Sequence, residues 1–218
     1  MAHPLFATGA LAACVLAAST LAQAATVHIT VLGKDGQPLP DAVVRLLPTQ
    51  GRAPAVPPVQ ARIEQQKMRF VPAVTVVPPG SRVTFSNLDG WEHHVRGTAA
   101  GVLSFNTPEP GFELRLDGRA DGKPAPSAEV VLPTAGAVLL GCHLHGSMRG
   151  HIYVADSPWA QATGASGVAA FNDVPEGGYQ LRVWHGDQLL EAPPQPLEVK
   201  PITATTVPTQ VVPRRKRV

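Results

Sequence analysis

Apolar and polar positions alternate along this chain with a period of two, in short runs, and no stretch keeps the period of an amphipathic helix. In "TVHITV" (26–31), Val27, Ile29 and Val31 alternate with His28 and Thr30. A "KDGQ" turn and a second run, "AVVRLL", follow. The Pro-rich "PTQGRAPAVPPVQA" cannot continue a sheet ladder and reads as a linker or long loop. From Ile63 onward the pattern is denser. "AVTVVPPGSRVTFSN" predicts two strands around a Pro-Pro-Gly turn, with Val83 and Phe85 on one face and Arg82, Thr84 and Ser86 on the other. "FELRL" alternates, "DGRADGKPAPS" is an exposed loop, and "AVLLGC" is apolar on both faces, as a central sandwich strand would be. "GHIYVAD" predicts its partner strand. Near the C-terminus, Tyr179, Leu181 and Val183 alternate with Gln180, Arg182 and Trp184. With 23 Pro and 20 Gly among 218 residues, these short runs between turns predict an all-β chain.

The N-terminus changes the compartment. "PLFATGALAACVLAASTLAQA" is uncharged and Ala/Leu-rich, and Ala22-Gln23-Ala24 is a small-residue cleavage pattern. A membrane anchor is the competing reading, but Thr8, Gly9, Ser19 and Thr20 interrupt the run. "LAAC" resembles a lipoprotein box ending in Cys14, yet the apolar stretch continues past it. The expectation is export to the periplasm with residues 1–24 removed, and no stable membrane insertion afterwards. Charge adds little. Arg214, Arg215, Lys216 and Arg217 account for more than the formal net charge of +2, so the body offers no nucleic-acid surface. These four read as a solvated basic tail.

Cleavage would leave Cys142 as the one thiol, without an intramolecular disulfide partner in an oxidising compartment. It lies in "GCHLHGSMRG", with His143, His145 and Met148 close by. Cys142-x-x-His145-x-x-Met148 offers a thiolate, an imidazole and a thioether on one short loop between two strands. Two histidines and a cysteine with a weak axial methionine make a blue-copper electron-transfer centre. The spacing lacks one histidine. "FSNLDGWEHHV" supplies His93 and His94 after the strand at 81–86. Zinc would accept the cysteine and histidines, but a thioether suits copper better.

These motifs resemble the cupredoxins, closest to amicyanin and plastocyanin, in which a His-Asn-Val triplet precedes a Cys-x-x-His-x-x-Met loop. His93-His94-Val95 matches that triplet, which implies His93 as the ligand and puts His94 where the Asn stands. "QQKMRFVPAVTVVPPGSRVTFSNLDGWEHHV" and "GCHLHGSMRGHIYV" are similar to periplasmic cupredoxin-like proteins of the methylamine-utilisation type. The resemblance implies a Greek-key β-sandwich over 63–156 with one type 1 copper held by His93, Cys142, His145 and Met148. Asn87, His94 and His143 stand as candidates for the surroundings of the ligands. The triplet's Asn ordinarily bonds backbone near the cysteine, which here would fall to a ring nitrogen of His94. In multicopper oxidases a histidine following the cysteine reaches a second copper cluster, but that also needs several paired His-x-His motifs, and this chain has only His143-Leu144-His145.

"DGQPLPDAVV" and "VPEGGYQL" resemble a transthyretin-like, or carboxypeptidase-regulatory, β-sandwich. Its halves would be 25–62, including the Pro-rich linker, and 157–200, with the copper unit inserted between them and a basic tail over 201–218. His28 and His185 read as strand or edge residues, His151 as solvent-facing, and Trp91 as shielding the site or packing on the loop. A site with four protein ligands leaves no open position for substrate, so the expectation is a non-enzymatic carrier of single electrons between periplasmic redox proteins. A copper-buffering or delivery protein is the alternative. An envelope module in which the metal only stabilises the fold is a third reading, and it would unfold when copper is stripped.

Overall fold

The computed structural model describes residues 24–101, 111–188 and 191–213. The expected export segment through Gln23 and the basic residues 214–217 lie outside them. Among the described residues the protein is all-β, and no helix is long and apolar enough to cross a membrane.

Among the described residues, sixteen strands form four sheets. Two of the sheets build the half that carries the metal-type residues. One contains β3 (Gln60–Gln66), β4 (Arg69–Val71), β6 (Ser81–Asn87) and β9 (Ser127–Leu132), in the order β4-β3-β6-β9. The other contains β5 (Val74–Val77), β7 (His93–Ala99), β8 (Phe112–Leu116), β10 (Gly136–Cys142) and β11 (Arg149–Val154), in the order β5-β11-β10-β7-β8. Ile63, Phe85, Val95, Leu140 and Ile152 fill the space between them, with Cys142 and Met148 at one end of the same cluster. The Pro-Pro-Gly turn does not fold β5 back onto β6. It carries the chain from one sheet to the other, so these neighbours in sequence have different strand partners. Val83 and Phe85 are buried as their alternation predicts, and Arg82 is exposed. Ser86, expected on the polar face, is buried.

The remaining strands form a second pair of sheets. β13 (Val168–Pro175), β1 (Ala24–Leu32) and β16 (Ile202–Pro208) make one; β12 (Ala160–Ala162), β2 (Val43–Pro48), β14 (Gly177–Trp184) and β15 (Gln195–Val199) make the other. Val27, Ile29, Leu46, Phe171, Tyr179 and Leu181 belong to their common core. The stretch from 201, expected as tail, instead begins with β16, which runs parallel to β1 from Thr26↔Ile202 to Leu32↔Pro208. Val207 and Val211 are buried there. β-Branched residues in "ITATTV" favour the pleated conformation, and β1 has an open side to accept them.

A third apolar cluster joins the two pairs of sheets. Trp184 and Val43 come from one side, Val74, Tyr153 and Ala155 from the other. The Trp184 ring lies 5.3 Å from that of Tyr153 and 5.2 Å edge-on to that of His151. His151 therefore packs at this junction rather than facing solvent. Trp184, on the polar side of its strand by alternation, is buried for the same reason.

Candidate metal centre

β7 and β10 are antiparallel neighbours, with Cys142 opposite Val95. This pairing brings the start of β7 beside the end of β10. His93 is the first residue of β7 and Cys142 the last of β10, and both side chains turn inward at the end of the core. The chain then makes a tight connection into β11. Met148 N–H donates to the His145 carbonyl at 2.9 Å, and β10 and β11 are paired up to Gly141↔Arg149.

Cys142 Sγ lies 3.8 Å from His93 Nδ1 and 3.5 Å from His145 Nδ1. One ligand atom from each of the three residues falls within 4.8 Å of the others. Metal–sulfur and metal–nitrogen bonds of ordinary length, set at trigonal angles, place S and N about 3.7 Å apart. The observed spacing therefore matches atoms arranged around one ion. A thiol has a single proton and can donate to only one of the two imidazoles, whereas an ion would engage both at once. His93 is fully buried, Cys142 is buried, and His145 is half-buried. Met148 is buried in the same core cluster as Cys142.

The orientation of His93 is fixed from behind. Its Nε2 lies 2.9 Å from Asp89 Oδ2. A carboxylate there makes Nε2 the protonated nitrogen and leaves the Nδ1 lone pair toward Cys142. Asp89 also accepts from Lys67 N–H at 2.6 Å and Met68 N–H at 3.0 Å. Burial pushes the Asp89 carboxyl upward, but the bonds from Met68, His93 and Lys67 outweigh it and hold the group below the usual carboxylate range. Lys67 and Met68 form the two-residue turn between β3 and β4, with φ of 52° and 57°. That left-handed backbone is disfavoured by about 1–2 kcal/mol per non-glycine residue, so Asp89 steadies a strained turn and a histidine at once. Sequence reasoning missed this residue. Its one signal was a carboxylate four positions before His93 in a turn-rich segment.

The other candidates divide between the loop and the surface. Asn87 is fully buried; its Nδ2 reaches the carbonyls of Trp91 at 2.7 Å and Asp117 at 2.8 Å, and its Oδ1 accepts from Asp89 N–H at 2.9 Å. It fixes the loop that presents Asp89 and bonds to no sulfur. The link between the ligand strands is made by main chain, because His143 N–H donates to the His94 carbonyl at 3.1 Å. The ring of His94 is not used for it. Both rings lie outside the inner cluster, 4.9 Å apart. Trp91 is 47% exposed and Leu144 54%.

The fold and this group define an all-β chain with a buried thiol between two imidazoles. No protein-family model matches it, and no curated protein does. Solved structures of cupredoxins do resemble it. An oxidised amicyanin variant is 23% identical, with 44% of this chain and 82% of the amicyanin covered and a TM-score of 0.35. A pseudoazurin from Sinorhizobium meliloti is 25% identical, covering 46% of this chain and 76% of its own, at a TM-score of 0.33. A reduced amicyanin variant is 26% identical over 44% of this chain and 82% of its own, at 0.32.

Proposed function

We propose that this chain is a type 1 copper protein that carries single electrons between redox proteins of the periplasm, and that it is not an enzyme. The observation that supports this reading is the placement of Cys142 Sγ 3.8 Å and 3.5 Å from two imidazole nitrogens. His93, Cys142, His145 and Met148 would hold copper, which would supply a one-electron couple between Cu(I) and Cu(II). The chain's own residues supply rigidity. Two ligands sit at ends of paired strands, and Asp89 and Asn87 tie the loop before β7, so the donor atoms stay in place as the charge changes. Burial of His93 and Cys142 keeps water from their donor atoms. His145 alone is half-buried, and beside exposed Leu144 its edge is the route by which electrons would enter.

The same burial argues against rapid delivery of copper to other proteins, which calls for ligands a partner can reach. We further propose the division into a cupredoxin unit over 63–156, extended to Gln60 by β3, and a transthyretin-like unit built from the segments on either side. The separate cores support it. Export through cleavage after Ala24 completes the reading.

Voltammetry of the copper-loaded mature chain tests the carrier role. A reversible one-electron wave, with copper retained through repeated cycles against a chelator, is the expected result. Loss of the metal on reduction would favour the buffering role instead. Replacing Leu144 by Glu is expected to slow electron exchange with a verified partner and leave the visible spectrum intact.

A further inference from the structure

The residues next to the inner ligands in sequence meet on the opposite face of the same sheet. His94 follows His93 on β7, and His143 follows Cys142 at the end of β10. Their rings are 4.9 Å apart. Glu113 projects from the adjacent β8, and its two carboxylate oxygens divide between them. Oε2 lies 3.6 Å from His94 Nε2, and Oε1 lies 3.8 Å from His143 Nε2.

Those separations are too long for hydrogen bonds. Two oxygen or nitrogen donors on one tetrahedral ion stand about 3.3 Å apart, a few tenths of an ångström closer than found here. All three side chains are partly exposed, at 31%, 46% and 53%, so their torsions are free to adjust around an ion. Arg96, directly across from Glu113 in the strand register, also approaches its Oε1 at only 3.6 Å. The carboxylate is thus near three nitrogen-bearing side chains and hydrogen-bonded to none of them. Arg96 is 53% exposed and can swing into water.

We propose that His94, His143 and Glu113 form a second, solvent-facing site for a divalent transition metal, with water completing the coordination. Two imidazoles and one carboxylate suit Zn(II) and Cu(II), and the ordinary affinity order puts Cu(II) first. His94 and Glu113 lie on the paired strands β7 and β8, and His143, just past β10, is tied to β7 by its N–H bond to the His94 carbonyl, so the three backbones are held before any ion arrives. The site contains no thiolate, so copper there would lack the intense colour of a copper–cysteine bond. It is independent of what fills the inner site.

The test uses the untagged mature chain, loaded with excess zinc, desalted and assayed for metal per chain. The wild-type chain is expected to retain two zinc ions, and His94→Asn and His143→Asn one each. Cys142→Ser, which breaks only the inner group, is expected to keep the outer ion. Glu113→Gln is expected to weaken the outer site while leaving the inner one filled. With Cu(II), the outer ion is expected to give an additional, non-blue electron paramagnetic resonance signal that disappears in His143→Asn. Retention of nothing beyond the Cys142-dependent ion overturns the proposal. So does a second ion that survives both histidine substitutions. Absence of the Cys142-dependent ion, with the outer one present, would overturn the inner-site reading and leave this one standing.

Discussion

Asp89 Oδ2 lies 2.9 Å from His93 Nε2, and both side chains are buried. The carboxylate selects the tautomer in which His93 Nδ1 faces Cys142, and its other bonds tie it to the turn at Lys67 and Met68. The orientation of His93 on β7 therefore depends on a hairpin in the opposite sheet.

Asp89→Asn is expected to weaken copper binding by about 10–100-fold, the usual consequence of losing a carboxylate behind a ligating histidine. The blue band should persist, since no ligand is removed. Competition against a calibrated chelator measures the first effect and visible absorption the second. An affinity equal to wild type would show that Asp89 serves only the turn.

Met148→Leu should leave the colour in place and raise the reduction potential, because removing the weak axial donor favours Cu(I). Spectroelectrochemistry of the two proteins checks this. An unchanged potential would mean that Met148 is only a core side chain, as its burial alone would allow.

Trp184→Ala should destabilise the chain by about 3–5 kcal/mol, the range for truncating a large buried aromatic. Trp184 holds the junction through Tyr153, His151 and Val43. Guanidinium denaturation followed by circular dichroism should then show the two pairs of sheets unfolding separately. A single transition at the wild-type midpoint would mean that this contact contributes nothing.

Much of this was legible in the residues. Strict alternation located β1, β6 and β14, and the spacing Cys142-x-x-His145-x-x-Met148 singled out the loop whose Cys142 and His145 the structure brings together with His93. What alternation does not encode is which strand pairs with which. The turn at Pro78-Pro79-Gly80 looks like a local reversal but is a crossing between sheets. His151 reads as solvent-facing, and Trp184 falls on the polar side of its alternation, because each pattern speaks for one sandwich, whereas the junction buries a second face of both strands. β16 was read as tail because its alternating side chains are mostly threonine and alanine, with little apolar contrast. Asp89 escaped because a lone aspartate beside glycine reads as turn chemistry. Its importance comes from three donors that converge on it only in the folded chain.

The most direct test of the copper reading is the visible absorption spectrum of the mature chain after addition of one equivalent of Cu(II), taken alongside Cys142→Ser, His93→Ala and His94→Ala. The account predicts an intense blue band in the wild-type chain and none in Cys142→Ser. His93→Ala should show an altered band, partly restored by added imidazole, and His94→Ala should keep the wild-type band. A colourless wild-type chain, or a band lost in His94→Ala and kept in His93→Ala, would contradict it.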